Sequence, residues 1–262
     1  MTDELIRALK SDKPAIRWSA ATRLSGAART QRAVALAALA DALEDDHPFV
    51  RWRAGMALAQ AGGDQSTALL HAALESDSSR RQAAAADALM YAPQSDSAPL
   101  LRATSNQDPL VRQSAAEVLA RRRQRRLASP LIGLLADDSP WVRRAATGAL
   151  GHIGDSKAIG PLIERLADES PLVRRSAAYA LGAMRTRQAS PSLIAALSDP
   201  DPAVRRNAAW GLGRLGDRTA LPALRSLRDD PALDGEVADE AERAISAAQR
   251  SGRLGLPGLA RR

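Results

Sequence analysis

The 262-residue chain has no cysteine. Disulfides, thiolate nucleophiles and thiolate metal ligands are therefore excluded. Aromatic residues are scarce: four Trp, two Tyr and one Phe make up 3% of the sequence, although hydrophobic residues reach 45%. Alanine supplies much of that fraction, which suits closely packed helices better than one thick core. No apolar run approaches the roughly 18 residues of a membrane-spanning helix. The start, Met1-Thr-Asp-Glu-Leu-Ile6, is acidic and already helical in pattern. It does not read as a signal peptide, so a cytoplasmic location is expected. Long alternating Val/Ile/Tyr runs are missing, and with them any strand signal.

Catalytic signatures are equally sparse. The histidines, His47, His71 and His152, have no metal-ligand spacing. His71 and Glu75, four apart, read as a surface pair. There is no nucleophile elbow, P-loop or Gly-rich dinucleotide fingerprint. The glycines fall near repeat boundaries, where they are expected to act as helix stops. A non-enzymatic protein without catalytic residues, metal or cofactor is expected.

What the chain does have is a repeat. Pro140-Trp-Val-Arg-Arg-Ala-Ala-Thr-Gly-Ala-Leu150 returns as Pro171-Leu-Val-Arg-Arg-Ser-Ala-Ala-Tyr-Ala-Leu181 and Pro202-Ala-Val-Arg-Arg-Asn-Ala-Ala-Trp-Gly-Leu212, a period of 31 residues. Earlier copies start at Pro14, Pro48 and Pro109, with a degenerate one at Ser79. A divergent eighth, near Gly235, keeps Val237, Ala241, Ala244 and Ile245 but loses the arginines. A Leu-Ile element shares the period at Leu5, Leu39, Leu70, Leu100, Leu131, Leu162, Leu193 and Leu224. Two apolar helices per unit at a fixed period predict an all-α fold, an α-solenoid. Proline suits the first helical position, where its missing N–H has no partner to lose. The Asp or Ser before it is expected to cap the helix. Val142, Ala146, Ala149, Leu150 and Ile153 form one apolar stripe, and Gly151 and Gly154 are expected to end the helix. Residues 1–250 read as a single domain closed by the last repeat, with Asp239, Glu240, Glu242 and Arg243 outward. Residues 251–262 read as a flexible basic tail.

The stretches Asp-x-x-Pro-x-Val-Arg-Arg-x-Ala-Ala-x-Ala-Leu-Gly and Gly-Asp-x-x-Ala-x-x-Pro-Leu-Ile-x-x-Leu resemble HEAT repeats of the short bacterial, phycobilisome-lyase-like type. The resemblance covers residues 2 to about 249. It implies a right-handed superhelix of about eight two-helix repeats, of the armadillo-like helical kind. It also implies that the Leu-Ile helices are convex and the Val-Arg helices line the concave side. Arg17, Arg51, Arg112, Arg143, Arg174 and Arg205, each three after the proline, are then expected to pair with an Asp of the preceding or adjacent turn. No His-Glu dipeptide is present, unlike the deoxyhypusine-hydroxylase branch, whose iron site is built from such pairs.

The net charge of +7 is local. Five arginines, Arg121, Arg122, Arg123, Arg125 and Arg126, sit in one block. Four more, Arg250, Arg253, Arg261 and Arg262, lie at the end; without these nine the remainder carries −2. Turns before the Val-Arg helices are acidic and turns after them lean basic, a pattern that helix dipoles favour. The 121–126 block exceeds what a dipole needs, and reads either as an anion contact or as a solvated turn.

On a helical wheel, positions 1, 4, 8 and 12 after the proline point away from the apolar stripe. Every aromatic lies there: Trp18, Phe49, Trp52, Tyr91, Trp141, Tyr179 and Trp210. Arg80, Arg144, Arg175 and Arg206 share the face, with Asp87 and Glu117 as its acids. Part of this set can pack on neighbouring helices. The concentration of Trp, Tyr and Arg otherwise marks a binding surface. The expected function is a protein-binding scaffold or adaptor for a partner protein or peptide of acidic or mixed apolar–acidic character. Two alternatives are nucleic-acid binding through the arginine-rich edge and groove, and a bilin lyase or chromophore chaperone, which the family resemblance suggests.

Overall fold

The computed structural model describes residues 1–26, 31–92, 96–230 and 235–253, the last three of these by backbone only. Among the described residues every regular element is helical. Contacts divide the chain into two compact units, residues 1–122 and 123–262.

The first unit contains α1 (Thr2–Ala8), α2 (Pro14–Leu24), α3 (Arg32–Asp41), α4 (Pro48–Ala61), α5 (Gly63–Leu74), α6 (Ser79–Leu89), α7 (Ala98–Ala103) and α8 (Pro109–Arg121). The second contains α9 (Ala128–Gly133), α10 (Pro140–Ile153), α11 (Ile159–Glu164), α12 (Pro171–Met184), α13 (Ser190–Ala195), α14 (Pro202–Leu215), α15 (Leu221–Arg228) and α16 (Gly235–Arg253). Each even-numbered helix packs on the odd one before it. In the first unit α2, α4, α6 and α8 pack in series, and in the second α10, α12, α14 and α16 do the same. This is the two-layer stacking of an α-solenoid, in which each repeat buries its apolar face on its neighbours. The divergent eighth repeat takes part: Val237, Ala241, Ala244 and Ile245 are buried, and so is Glu240, which accepts a hydrogen bond from Arg243 rather than facing out as expected. The expected tail begins as helix, since α16 runs to Arg253; residues 254–262 lie outside the described residues.

The odd helices of the second unit are short. Three of them, α9, α11 and α13, give way to 3-10 turns over Leu134–Ala136, Arg165–Ala167 and Ala196–Ser198. The apolar stripe forms as the sequence predicts: Val142, Ala146, Ala149, Leu150 and Ile153 are all buried. The capping differs. Asp201 does cap α14, accepting from the backbone N–H groups of Ala203 and Val204. Ser139 and Ser170 make no cap bond, however. There the aspartate two residues earlier folds the turn instead, Asp137 accepting from the Ser139 N–H and Asp168 from that of Ser170, both at 2.9 Å. A short carboxylate readily makes this local bond two residues ahead.

The same aspartates anchor the arginines. Arg143 Nη1 donates to the carbonyls of Asp137 and Asp138 in its own turn, at 2.8 and 3.0 Å. Its Nε and Nη2 form a fork with both oxygens of Asp168 in the next turn, each at 2.9 Å. Arg174 repeats this with Asp199, at 2.8 and 3.0 Å, and Arg17 with Asp45, at 2.7 and 2.8 Å. At Arg51 and Arg205 the carbonyl bonds to the preceding turn are present. The guanidinium therefore links one turn's backbone to the next turn's carboxylate, as its planar set of five donors allows.

Glycine supplies the second constraint, and here the sequence expectation is corrected. Gly151, Gly182 and Gly213 do not stop helices; they lie inside α10, α12 and α14. A Cβ on Gly182 would stand 2.5 Å from Gly211 Cα and 2.9 Å from the Trp210 ring, and one on Gly151 2.7 Å from Ala180 Cβ. These glycines let the even helices touch backbone to backbone. The true stop is three residues later. Gly154 and Gly216 take left-handed φ values of 68° and 63°, and Arg123 and Arg185 occupy the equivalent position at 48° and 53°. An L-residue there carries about 1–2 kcal/mol of strain.

Two outcomes follow. Gly182→Ala should cost about 1–3 kcal/mol by overpacking, whereas Gly160→Ala, with open space around its Cβ, should cost nothing; urea unfolding of both separates a packing role from a helix-stop role. Arg143→Ala should cost about 3–5 kcal/mol, because a buried carboxylate loses its partner. Burial alone would raise the Asp168 and Asp199 carboxyls, but the arginine hydrogen bonds and neighbouring backbone N–H groups hold both below the ordinary range. Their stabilising contribution is thus complete above the unfolded aspartate value of about 3.9 and is lost as pH falls through the lower folded values. The melting temperature should drop below about pH 4, and a double Asp168→Asn/Asp199→Asn variant should show a flatter profile.

Candidate functional site

In the first unit the outward positions of the even helices carry aromatic rings. Trp18 on α2, Phe49 and Trp52 on α4, and Tyr91 just after α6 are exposed, and Arg80 on α6 is exposed as well. The Arg53 guanidinium lies 6.0 Å from the Trp18 ring centre, held by a 2.7 Å hydrogen bond from its Nε to Thr22 Oγ1. Phe49 sits 5.7 Å from the His47 ring. This face also holds Asp87 and Glu117. Loss of solvent around the Asp87 carboxyl pushes its pKa up, the Ser114 hydrogen bond opposes this, and the Glu117 charge adds to the rise. Glu117 accepts from Gln113 Nε2 at 3.1 Å.

In the second unit the corresponding face has arginines and no carboxylate at the outward positions of α10, α12 and α14. Trp141 and Tyr179 are exposed. Arg144, one helical step from Trp141, places its guanidinium 5.9 Å from the Trp141 ring centre. Trp210 is different from the other six aromatics. It is half-buried, stacked on Tyr179 at 4.7 Å with an 11° interplanar angle, and its ring edge lies in the space opened by Gly182. Packing on a neighbouring helix is therefore realised in the Tyr179–Trp210 stack, and Trp210 is the more buried of the two. Arg214 covers Trp210 at 5.5 Å. Arg206 is engaged by Glu236 of α16. Arg175 is exposed, and among the described residues its guanidinium has no hydrogen-bond or ion-pair partner.

The arginine block does not act as one feature. Arg121, at the end of α8, is exposed. Arg122 is turned inward; its Nη1 donates to Ser97 Oγ at 3.4 Å, and burial lowers its pKa against the opposing charge of Asp96. Arg123, Arg125 and Arg126 are exposed in the second unit, with Arg126 Nε bonded to Gln124. The sequence reading missed the charge difference between the two faces, though it was visible by treating each run of repeats separately. It also missed the role of Gly182 in seating Trp210, for which the recurrence of glycine eleven residues after the proline was the available signal. No group of three His, Asp or Glu side chains suited to a metal comes together among the described residues. No described helix is long and apolar enough to cross a membrane.

Stacked helix pairs joined by an arginine–aspartate ladder, with aromatic residues on the even helices, define an α-solenoid repeat protein. The HEAT-repeat family profile matches residues 2–90, 97–177 and 159–246, and the chain belongs to the HEAT-repeat family. No curated protein matches the sequence. Among solved structures, the YibA protein of E. coli has a TM-score of 0.68 at 22% identity, over 95% of this chain and 92% of that one. Kap95p, solved with RanGDP, has a TM-score of 0.68 at 15% identity, over 94% of this chain and 40% of that one. An engineered protein has a TM-score of 0.53 at 20% identity, over 95% and 78%. These likenesses are likenesses of fold.

The two tryptophans of the second unit should separate on mutation. Trp210→Ala should cost about 2 kcal/mol, below the 3–5 kcal/mol of a fully buried aromatic. Trp141→Ala should stay within about 0.5 kcal/mol, as surface changes do. Chemical denaturation of both variants measures the difference.

Proposed function

We propose that the protein is a non-enzymatic scaffold whose even-helix face in the second unit holds an acidic or mixed apolar–acidic segment of a partner protein. The observation that carries this is Arg175: an exposed guanidinium with no hydrogen-bond or ion-pair partner among the described residues, on a face that also presents Trp141 and Tyr179 and has no carboxylate at the outward positions of α10, α12 and α14. Trp, Tyr and Arg are the side chains that dominate binding energy at interfaces. An apolar–acidic helix would lay its rings and methyls on Trp141 and the Tyr179–Trp210 stack, and its carboxylates on Arg175 and Arg144. Trp18, Phe49, Trp52 and Arg80 form a separate face in the first unit, more apolar and partly acidic, suited to a different part of the partner. The fold is one in which protein binding occurs, as Kap95p with RanGDP illustrates.

The test is capture from nuclease-treated lysate of the source organism by the wild type beside a Trp141→Ala/Arg175→Ala/Tyr179→Ala variant. Trp210 is left intact because it supports the fold. A protein enriched by the wild type should bind the variant at least about 30-fold more weakly, as loss of one hot spot of about 2 kcal/mol requires, while circular dichroism stays the same. Equal capture by both baits removes this face as the binding site.

A further inference from the structure

The opposite property, cationic charge without any ring, is concentrated on a different surface of the second unit. The turns that follow each even helix, and that lead through a 3-10 turn into the next odd helix, carry Arg123, Arg125 and Arg126, then Lys157, then Arg185 and Arg187, then Arg218. All seven side chains are exposed. These turns occupy the same place in successive repeats, and two of them pack on the odd helix of the preceding repeat, Ser156–Ala158 on α9 and Arg187–Ala189 on α11. They form one edge of the unit, away from the aspartate turns that the arginine ladder uses. Among the described residues none of the seven cations makes an ion pair. The acids of this edge are Asp155 and Asp217, and each is engaged in folding its own turn. Asp155 accepts from the Lys157 N–H at 2.9 Å, and Asp217 from the Thr219 N–H at 3.0 Å and from the Thr219 hydroxyl at 2.8 Å, with Arg187 within reach of its field.

Two of the cations are held where an arginine is unfavourable. Arg123 and Arg185 take left-handed backbone at the position that Gly154 and Gly216 fill without strain. Glycine would serve the turn better at both places, so the turn itself does not account for arginine there. The charge does. Strained residues of this sort concentrate at sites of function.

From this arrangement we infer that the edge formed by residues 123–126, 157, 185–187 and 218 is a docking site for the phosphate backbone of a nucleic acid. Packed helices lie about 8–10 Å apart, and the row draws on the turns after four successive even helices, so it is too long for one phosphate ion and fits a polyanion. Six of the seven cations are arginine, whose fork matches phosphate oxygens in pairs. No large exposed hydrophobic side chain lies on the edge, which leaves nothing to insert into a bilayer and no apolar anchor for a protein hot spot. The site is independent of the even-helix face, so it stands whether or not that face holds a protein.

The experiment uses the full chain and fluorescein-labelled 20-nucleotide DNA, single-stranded and duplex, in anisotropy titrations across a salt series. Binding should weaken steeply with salt, by close to 0.7 (single strand) or 0.9 (duplex) logarithmic units of affinity per log unit of salt for each phosphate neutralised. Arg125→Glu/Arg126→Glu/Arg187→Glu/Arg218→Glu should lose at least about 100-fold in affinity and flatten the slope. Arg123→Gly/Arg185→Gly, which relieves the backbone, should melt no lower than the wild type and still bind several-fold more weakly. The Trp141→Ala/Arg175→Ala/Tyr179→Ala variant should bind DNA within threefold of the wild type. The inference is overturned if neither DNA binds at 50 mM salt, if the charge-reversed edge keeps its affinity, or if the Trp141/Arg175/Tyr179 variant loses as much as the edge variant. It is also overturned if phosphatidylserine vesicles, but not DNA, are bound through the edge.

Discussion

The arginine three residues after the helix-starting proline is the joint on which the repeats depend. In Arg143 one guanidinium satisfies two carbonyls of its own turn and both oxygens of Asp168 in the following turn. Asp168 in turn holds the Ser170 N–H, so the carboxylate shapes the entry into α12 while it receives the bridge. Burial sharpens the demand. With the Asp168 side chain 3% exposed and that of Arg143 7% exposed, neither charge has water to fall back on, and each makes the other necessary. A solenoid has no shared core to fix the relative position of its repeats. A directional, two-ended bond between turns supplies what nondirectional apolar burial does not.

Glycine sets how closely the even helices approach once the turns are tied. Gly151, Gly182 and Gly213 remove the side chains that would hold backbones apart, and the alanines around them do nearly the same. A seam this tight has no room for a ring. The aromatic residues are accordingly pushed to outward positions, and the single exception supports the rule: Trp210 enters the seam only at its edge, over Gly182, where a missing Cβ leaves space. The exposure of Trp141 and Tyr179 is a consequence of how the repeats pack, and the recognition surface proposed for them builds on it.

The repeat, the all-helical class and the arginine–aspartate ladder were legible in the sequence because each is a local pattern repeated at constant spacing. Pro140, Val142, Arg143 and Ala146 announce a helix start, a buried stripe and a turn anchor within seven residues. The capping of α12 was not legible, since Asp168 and Ser170 are both good local hydrogen-bonding residues and only the inter-turn bond from Arg143 decides which one folds the turn. The role of Gly182 was hidden for a similar reason. A glycine near a helix end reads as a stop until the partner helix, with Gly211 and Trp210, is placed against it. Which aromatics are free was legible for Trp141 and misleading for Trp210, because a helical wheel shows direction but not how near the neighbour lies.

The left-handed arginines connect stability to surface chemistry. Fourteen residues after the helix-starting proline φ is positive at Arg123, Gly154, Arg185 and Gly216, and two of these four use glycine while Arg123 and Arg185 bear strain to reach it. A fold under selection for stability alone would place glycine at all four, because among the described residues neither Arg123 nor Arg185 makes a side-chain hydrogen bond or ion pair. The acids on that edge are engaged in their own turns, so the arginine charge is left facing solvent. On the opposite edge every arginine of the ladder is matched by a carboxylate, a carbonyl or both. The second unit thus keeps its neutralised charges where they join repeats and its uncompensated ones where they join nothing within the chain, and that separation points outward, to a partner that carries the missing negative charge.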